Sequence, residues 1–93
     1  MTREIAGWAW ERRHPSEPIN VVIYDGTNPL ATVAANLERT DLAQRCNGEV
    51  NHGFVYPVPK ALWDGREHTI SVKAEKGGFE LDGSPKKYRF KIR

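Results

Sequence analysis

The amino-acid sequence predicts an all-β domain, an antiparallel β-sandwich of Ig-like or jelly-roll-like character with about seven short strands. Three observations carry this. Apolar and polar residues alternate with a period of two in several short segments rich in Val, Ile, Tyr, Phe and Trp. Turn signals built from Gly, Pro, Asn and Asp recur at intervals of about ten residues. The 3.6-residue period of a long helix is absent, leaving room for one short helical turn near 38–45.

The first strand is expected over Glu4–Trp10, where Trp8 and Trp10 share one face and Gly7 and Ala9 the other. Two prolines in His14-Pro15-Ser16-Glu17-Pro18 end it, because proline cannot donate to a central ladder. Ile19–Tyr24 follows as a strand with Ile19, Val21 and Ile23 toward the core and Asn20, Val22 and Tyr24 outward. Asp25–Pro29 has turn composition, and Leu30–Ala35 returns to complete a hairpin. A short helical turn fits within 36–46, with Leu37 and Leu42 as its apolar residues and Thr40-Asp41 as its cap.

Val50–Val58 is the fourth strand, with His52, Phe54, Tyr56 and Val58 on one face. In the connection 59–66, Leu62 is the natural core plug and Trp63 stands beside the Asp64-Gly65 turn. His68–Ala74 places Ile70, Val72 and Ala74 inward. Gly77-Gly78 and Asp82-Gly83 bracket a short piece at 79–81, and the last strand alternates Tyr88, Phe90 and Ile92 against Lys87, Arg89, Lys91 and Arg93.

Ninety-three residues make one domain spanning 1–93, and a chain of this size buries about 60–65% of its unfolded surface. That supports a modest core and leaves little room to enclose a substrate. A formal charge of +2 demands no polyanionic partner. The single Cys46 excludes an internal disulfide. No apolar run reaches the length of a membrane span, so no membrane partner is expected, and Met1–Glu4 does not resemble a signal peptide.

Catalytic chemistry finds no support in the spacing of the residues. Cys46, His14, His52 and His68 are scattered rather than clustered, which disfavours a Cys/His nucleophile and a zinc site alike. His52, sharing a face with Phe54 and Tyr56, fits a satisfied core histidine. Asp25-Gly26, Asp64-Gly65 and Asp82-Gly83 offer oxygens to calcium, but Asx-turn chemistry accounts for each, so no cofactor is expected. Residues 73–93 hold seven basic against three acidic residues, a balance of +4. Such a strand suits single-stranded nucleic acid, yet it equally protects a sheet edge from pairing with another chain, and no nucleic-acid partner is expected.

The aromatic residues are the stronger signal. Trp63 lies in a polar connection whose core contact Leu62 already supplies, so exposure is expected. Trp8 and Trp10 form either a wall of the core or a flat platform, and Tyr24 lies on the outer surface of its sheet. The axial C–H face of a sugar stacks on such rings. Covering about 60 Å² of apolar surface contributes about 1.5 kcal/mol per ring at about 25 cal/mol/Å². A few such contacts give a micromolar-to-millimolar dissociation constant.

Gly7-Trp8-Ala9-Trp10-Glu11, Ile23-Tyr24-Asp25-Gly26, Leu30-Ala31-Thr32-Val33, Asp41-Leu42, His52-Gly53-Phe54, Asp64-Gly65 with His68-Thr69-Ile70, and Leu81-Asp82-Gly83-Ser84-Pro85 form a set covering nearly the whole chain. The set resembles the small bacterial β-sandwich carbohydrate-binding modules, most closely those of family 81, which are appended to endoglucanases. The resemblance implies non-catalytic binding of β-1,4- and mixed-linkage glucans (cellulose, cello-oligosaccharides, xyloglucan) by an extracellular module attached to a catalytic domain. A monomer is expected, and no enzymatic activity. The Gly-Trp and His-Gly-Phe elements recur in that group, which implies scaffold roles for Trp8, His52 and Phe54. Trp63 stands where relatives often carry a non-aromatic residue, which favours it as a ligand-specific addition, and Glu11 stands where Asp is more usual. The expected carbohydrate site is therefore Trp63 and Trp10 first, then Trp8 and Tyr24, with Asp64 as a hydroxyl acceptor. The alternative is an Ig-like spacer or protein-interaction module without sugar affinity.

Overall fold

The computed structural model describes residues 4–11, 13, 16–44, 48, 50–81 and 84–90. The expected features at His14-Pro15, Cys46, Asn47, Asp82-Gly83 and 91–93 lie outside these. Among the described residues the chain forms seven strands: β1 Glu4–Trp8, β2 Ile19–Asp25, β3 Asn28–Ala35, β4 Leu37–Glu38, β5 Asn51–Pro57, β6 Glu67–Ala74 and β7 Lys86–Arg89. They pair antiparallel in two sheets, one in the order β1-β5-β4 and the other in the order β3-β2-β6-β7. The two sheets pack face to face, so the sandwich architecture predicted by the sequence is the observed one.

Alternation decides which side chains fill the space between the sheets. Val21 and Ile23 on β2, Ile70, Val72 and Ala74 on β6, and Phe54 on β5 are buried, while their strand neighbours face outward. Phe90, just beyond β7, is fully buried and stacks on Tyr88 with ring centroids 5.7 Å apart and an interplanar angle of 8°. His52 joins this core as a buried polar residue.

The β2–β3 hairpin forms as expected, but its loop is tighter than the composition implies. Only Gly26-Thr27 separate the paired Asp25 and Asn28, and Gly26 takes the left-handed φ of 62° that such a turn requires. Pro29 belongs to β3, beside a register shift at Ile23/Tyr24. Proline is tolerated there because β3 is an edge strand.

Three local expectations need correction. β1 stops at Trp8 rather than Trp10, although the backbone N–H of Ala9 still donates to the His52 carbonyl at 2.9 Å. Leu37 does not sit in a helical turn; it lies in β4 and is exposed, and the short 3-10 turn Thr40–Leu42 is preceded by Arg39 with no side-chain cap. Arg39 instead lays its aliphatic stem over Gly53, where a Cβ would come within 2.7 Å of it, and its guanidinium clasps Asp41 at 2.6 Å. A second 3-10 turn, Lys60–Leu62, plants Leu62 in the core.

Gly7 holds β1 against the core. It faces inward opposite Phe54, whose ring lies close enough that a Cβ at position 7 would sit 3.0 Å from its Cζ. Substituting Gly7→Ala therefore forces the Phe54 ring aside, at an overpacking cost of about 1–3 kcal/mol. Urea denaturation of the variant should show that loss at an unchanged m-value; a variant as stable as the native chain would show that the ring yields freely.

Candidate functional site

The structure divides the expected site residues among three places. Trp8, the last residue of β1, pairs with Gly53, and Trp10 follows two residues on with its ring edge against buried His52, at a centroid distance of 6.5 Å and an angle of 61°. Trp63 lies at the other end of β5, where its indole N–H donates to the Val58 carbonyl at 3.2 Å. Six residues of extended chain separate Val58 from His52, about 20 Å at the rise of a strand. Trp10 and Trp63 therefore do not share one platform. Tyr24 sits on the outer face of the four-stranded sheet, with Lys73 Nζ 5.4 Å from its ring centroid.

Trp63 also departs from the exposure expected of it. Its ring is half-buried and packs on the hydrophobic core beside Leu62. The plug of this connection is a pair of side chains rather than Leu62 alone. Single-residue reasoning assigned one core contact to a segment that needs two, because the 3-10 turn brings positions 62 and 63 to the same wall.

Trp8 and Trp10 border a cleft of about 410 Å³ along the open side of the sandwich, where edge strand β1 faces edge strand β7 and the segment leading into it. Phe79 and Tyr88 contribute two more rings to its lining, and Glu80, Ser84 and Lys86 contribute polar groups. Phe79 is 47% exposed. Its position is set by backbone: Gly77 and Gly78 turn the chain with φ of 83° and 67°, and the Ala74 N–H donates to the Phe79 carbonyl at 2.9 Å.

The polar groups of the cleft are fixed as well. Ser84 Oγ accepts the Val72 N–H at 2.8 Å and donates to Glu80 Oε2 at 2.8 Å, which orients the carboxylate. Lys86 Nζ stands 5.7 Å from the Tyr88 ring centroid. Among the described residues of the lining, Glu80 is the carboxylate. The cleft thus combines oriented acceptors, a cation and several rings. Phe79 and Tyr88 were missed in the sequence because a sheet seam is a tertiary feature; the Gly77-Gly78 pair ahead of Phe79 was the available signal.

A second polar arrangement lies at the Trp63 end. His68 spans two carboxylates, with Nδ1 3.1 Å from Asp25 Oδ2 and Nε2 3.0 Å from Asp64 Oδ1. Asp64 Oδ1 also accepts the Arg66 N–H at 2.9 Å. Asp64, the expected hydroxyl acceptor beside Trp63, thus has its Oδ1 engaged twice. The parity that turns Val21 and Ile23 inward also turns Asp25 inward, and the parity of Ile70 and Val72 does the same for His68. Two inward polar residues on neighbouring strands require each other, and that signal was legible.

Burial opposes the charge on His68, but the Asp64 and Asp25 carboxylates outweigh it and raise its pKa above the ordinary 6.5. The Arg66 N–H first, and His68 next, hold the Asp64 carboxyl below its ordinary 3.8. Because the two carboxylates lie on opposite ring nitrogens, they cannot converge on a single metal ion, and among the described residues no cluster of three ligand side chains forms. The arrangement is a bridge from one imidazole to two carboxylates. It clasps the β2–β3 turn to the loop carrying Trp63.

Comparison with family models, with curated proteins and with solved structures returned no match to this chain.

The clasp makes stability depend on pH in a defined sense. His68 holds its proton more tightly folded than unfolded, so its contribution is complete below about 6.5 and is lost as pH rises through the raised folded value. Asp64 contributes in the opposite sense: present above its ordinary value, lost as pH falls through the lowered one. At about pH 6 the native chain should exceed His68→Gln by about 1–2 kcal/mol, and the gap should close toward about pH 9. Thermal melts of both proteins across that range check this; a gap independent of pH would mean that packing, not charge, holds the clasp.

Proposed function

We propose that this chain is a non-catalytic carbohydrate-binding module that holds a β-glucan chain in the cleft between β1 and β7. The observation that carries the reading is the cleft itself: four aromatic side chains, Trp8, Trp10, Phe79 and Tyr88, gathered with Glu80, Ser84 and Lys86 around one open space. Ring faces of a glucan are apolar and its equatorial hydroxyls are polar, so this combination suits both. Trp10 and Trp8 supply the principal stacking surface. The resemblance of the sequence to modules appended to endoglucanases agrees with this use, with two revisions: Trp63 and Asp64 act as structural supports at the opposite end, and Tyr24 lies outside the cleft.

The magnitudes fit a tethering role. Two or three rings, each covering about 60 Å² of apolar surface, contribute about 3–5 kcal/mol before association costs. Binding of that strength is reversible. It raises the local concentration of an attached hydrolase on its polymer through effective concentration rather than through a tight complex.

A second reading rests on a surface that shares Trp8 with the cleft. The outer face of the three-stranded sheet exposes Leu37 at 47% and Val55 at 40% beside half-buried Trp8, an apolar strip of the kind that protein interfaces use. That reading makes the chain a protein-interaction module without sugar affinity.

Tryptophan fluorescence during titration with cellopentaose separates the two. The glucan reading expects a saturable shift in the native protein, a loss of about ten-fold or more in affinity for Trp10→Ala, and near-native affinity for Trp63→Ala. Affinity should change little with added salt, unlike binding to a nucleic acid. Absence of any response to cello-oligosaccharides and to soluble β-glucans would overturn the reading.

A further inference from the structure

Phe79 borders not one cleft but two. It also lines a second space of about 470 Å³, together with Glu11, Glu17, Asn20, Glu75 and Lys76 and with Pro18, Ile19 and Ala74. The two spaces are also contiguous along the backbone. Trp10 lines the first and Glu11 the second, while β6 contributes Val72 to one and Ala74 to the other. Each volume falls at the lower end of the range for small-ligand sites, enough for a short segment of a chain.

The second space differs in chemistry from the first. Three carboxylates face one ammonium group, and Glu75 Oε1 is held by the Asn20 side-chain N–H at 3.1 Å. A carboxylate accepts several hydrogen bonds at once, so a held oxygen retains capacity for ligand hydroxyls. The same groups repel an anionic chain.

We infer that the two clefts act as one trough across Phe79, which grips a neutral, hydroxyl-rich chain longer than either cleft, with Phe79 as its central stacking ring. This rests on the glucan reading of the first cleft. The occupant follows from the continuity of the two spaces, from the exposed ring shared between them, and from the excess of acceptors over donors in the second. The glycine turn at 77–78 keeps that ring at the saddle between them, and the trough needs no conformational change to admit a chain from the side.

The test is the dependence of affinity on chain length. Cello-oligosaccharides from cellobiose to cellohexaose are titrated into the native protein, Phe79→Ala and Phe79→Trp, with thermal melts confirming that each is folded. Native affinity should continue to rise, about ten-fold or more, from the lengths that fill the first cleft to those that fill both. Phe79→Ala should flatten that rise and also weaken the shorter sugars, whose cleft it lines, and Phe79→Trp should keep the rise. A carboxymethylated glucan should bind more weakly than its neutral parent at low salt, with the gap closing as salt is added. Binding that stops improving at the shortest lengths, a Phe79→Ala variant that follows the native length profile, or equal affinity for the charged polymer would overturn the trough and leave the first cleft standing. No binding at any length would overturn both.

Discussion

The structure depends on how an edge strand is held to its core. β1 has one hydrogen-bonded neighbour, β5, and only Ile5, Gly7 and Ala9 face inward from this edge. The ring of Phe54 lies across Gly7 and closes the gap that a glycine leaves in a sheet face. Trp8 at the end of β1, and Trp10 two residues beyond it against buried His52, inherit their positions from that contact. The open side of the sandwich exists because β1 and β7 are both sheet ends and do not pair with each other. Its usefulness depends on β1 remaining close to the core while its outer edge stays bare.

The fold was legible because its signals are local. Alternation placed Val21, Ile23, Ile70 and Val72 correctly, and Asp25-Gly26 marked the hairpin. Element ends are less legible: Trp8 and Trp10 continue the pattern of β1 after its strand has ended at Trp8. The apolar character of Leu37 fits a helix stripe as well as the strand β4 that it occupies. Only the partner strand β5 decides between them.

The site was legible in part. Trp8 and Trp10 are marked by their spacing, and they border the cleft between β1 and β7. Trp63 was ranked with them because a tryptophan in a polar connection looks surplus. Its indole N–H instead finds a carbonyl five residues back, a contact invisible until the 3-10 turn is formed. Phe79 and Tyr88 were treated as pieces of strands, since which edges face one another is settled by sheet order and not by any stretch of sequence. The His68 clasp stands between these cases: parity alone turned Asp25 and His68 inward, and the consequence of that inference was there to be drawn.

Pro29 in the outermost strand β3, with the register shift beside it, has a consequence for how such molecules behave in company. A ladder needs donors at regular intervals, and proline withholds one while the shift spoils the spacing of the rest. At the opposite end of the same sheet, β7 presents Lys86, Lys87 and Arg89, which repel their own image. Many copies crowded together can therefore stand shoulder to shoulder without their sheets fusing into a common ribbon. Their density is then limited by lateral space and not by aggregation.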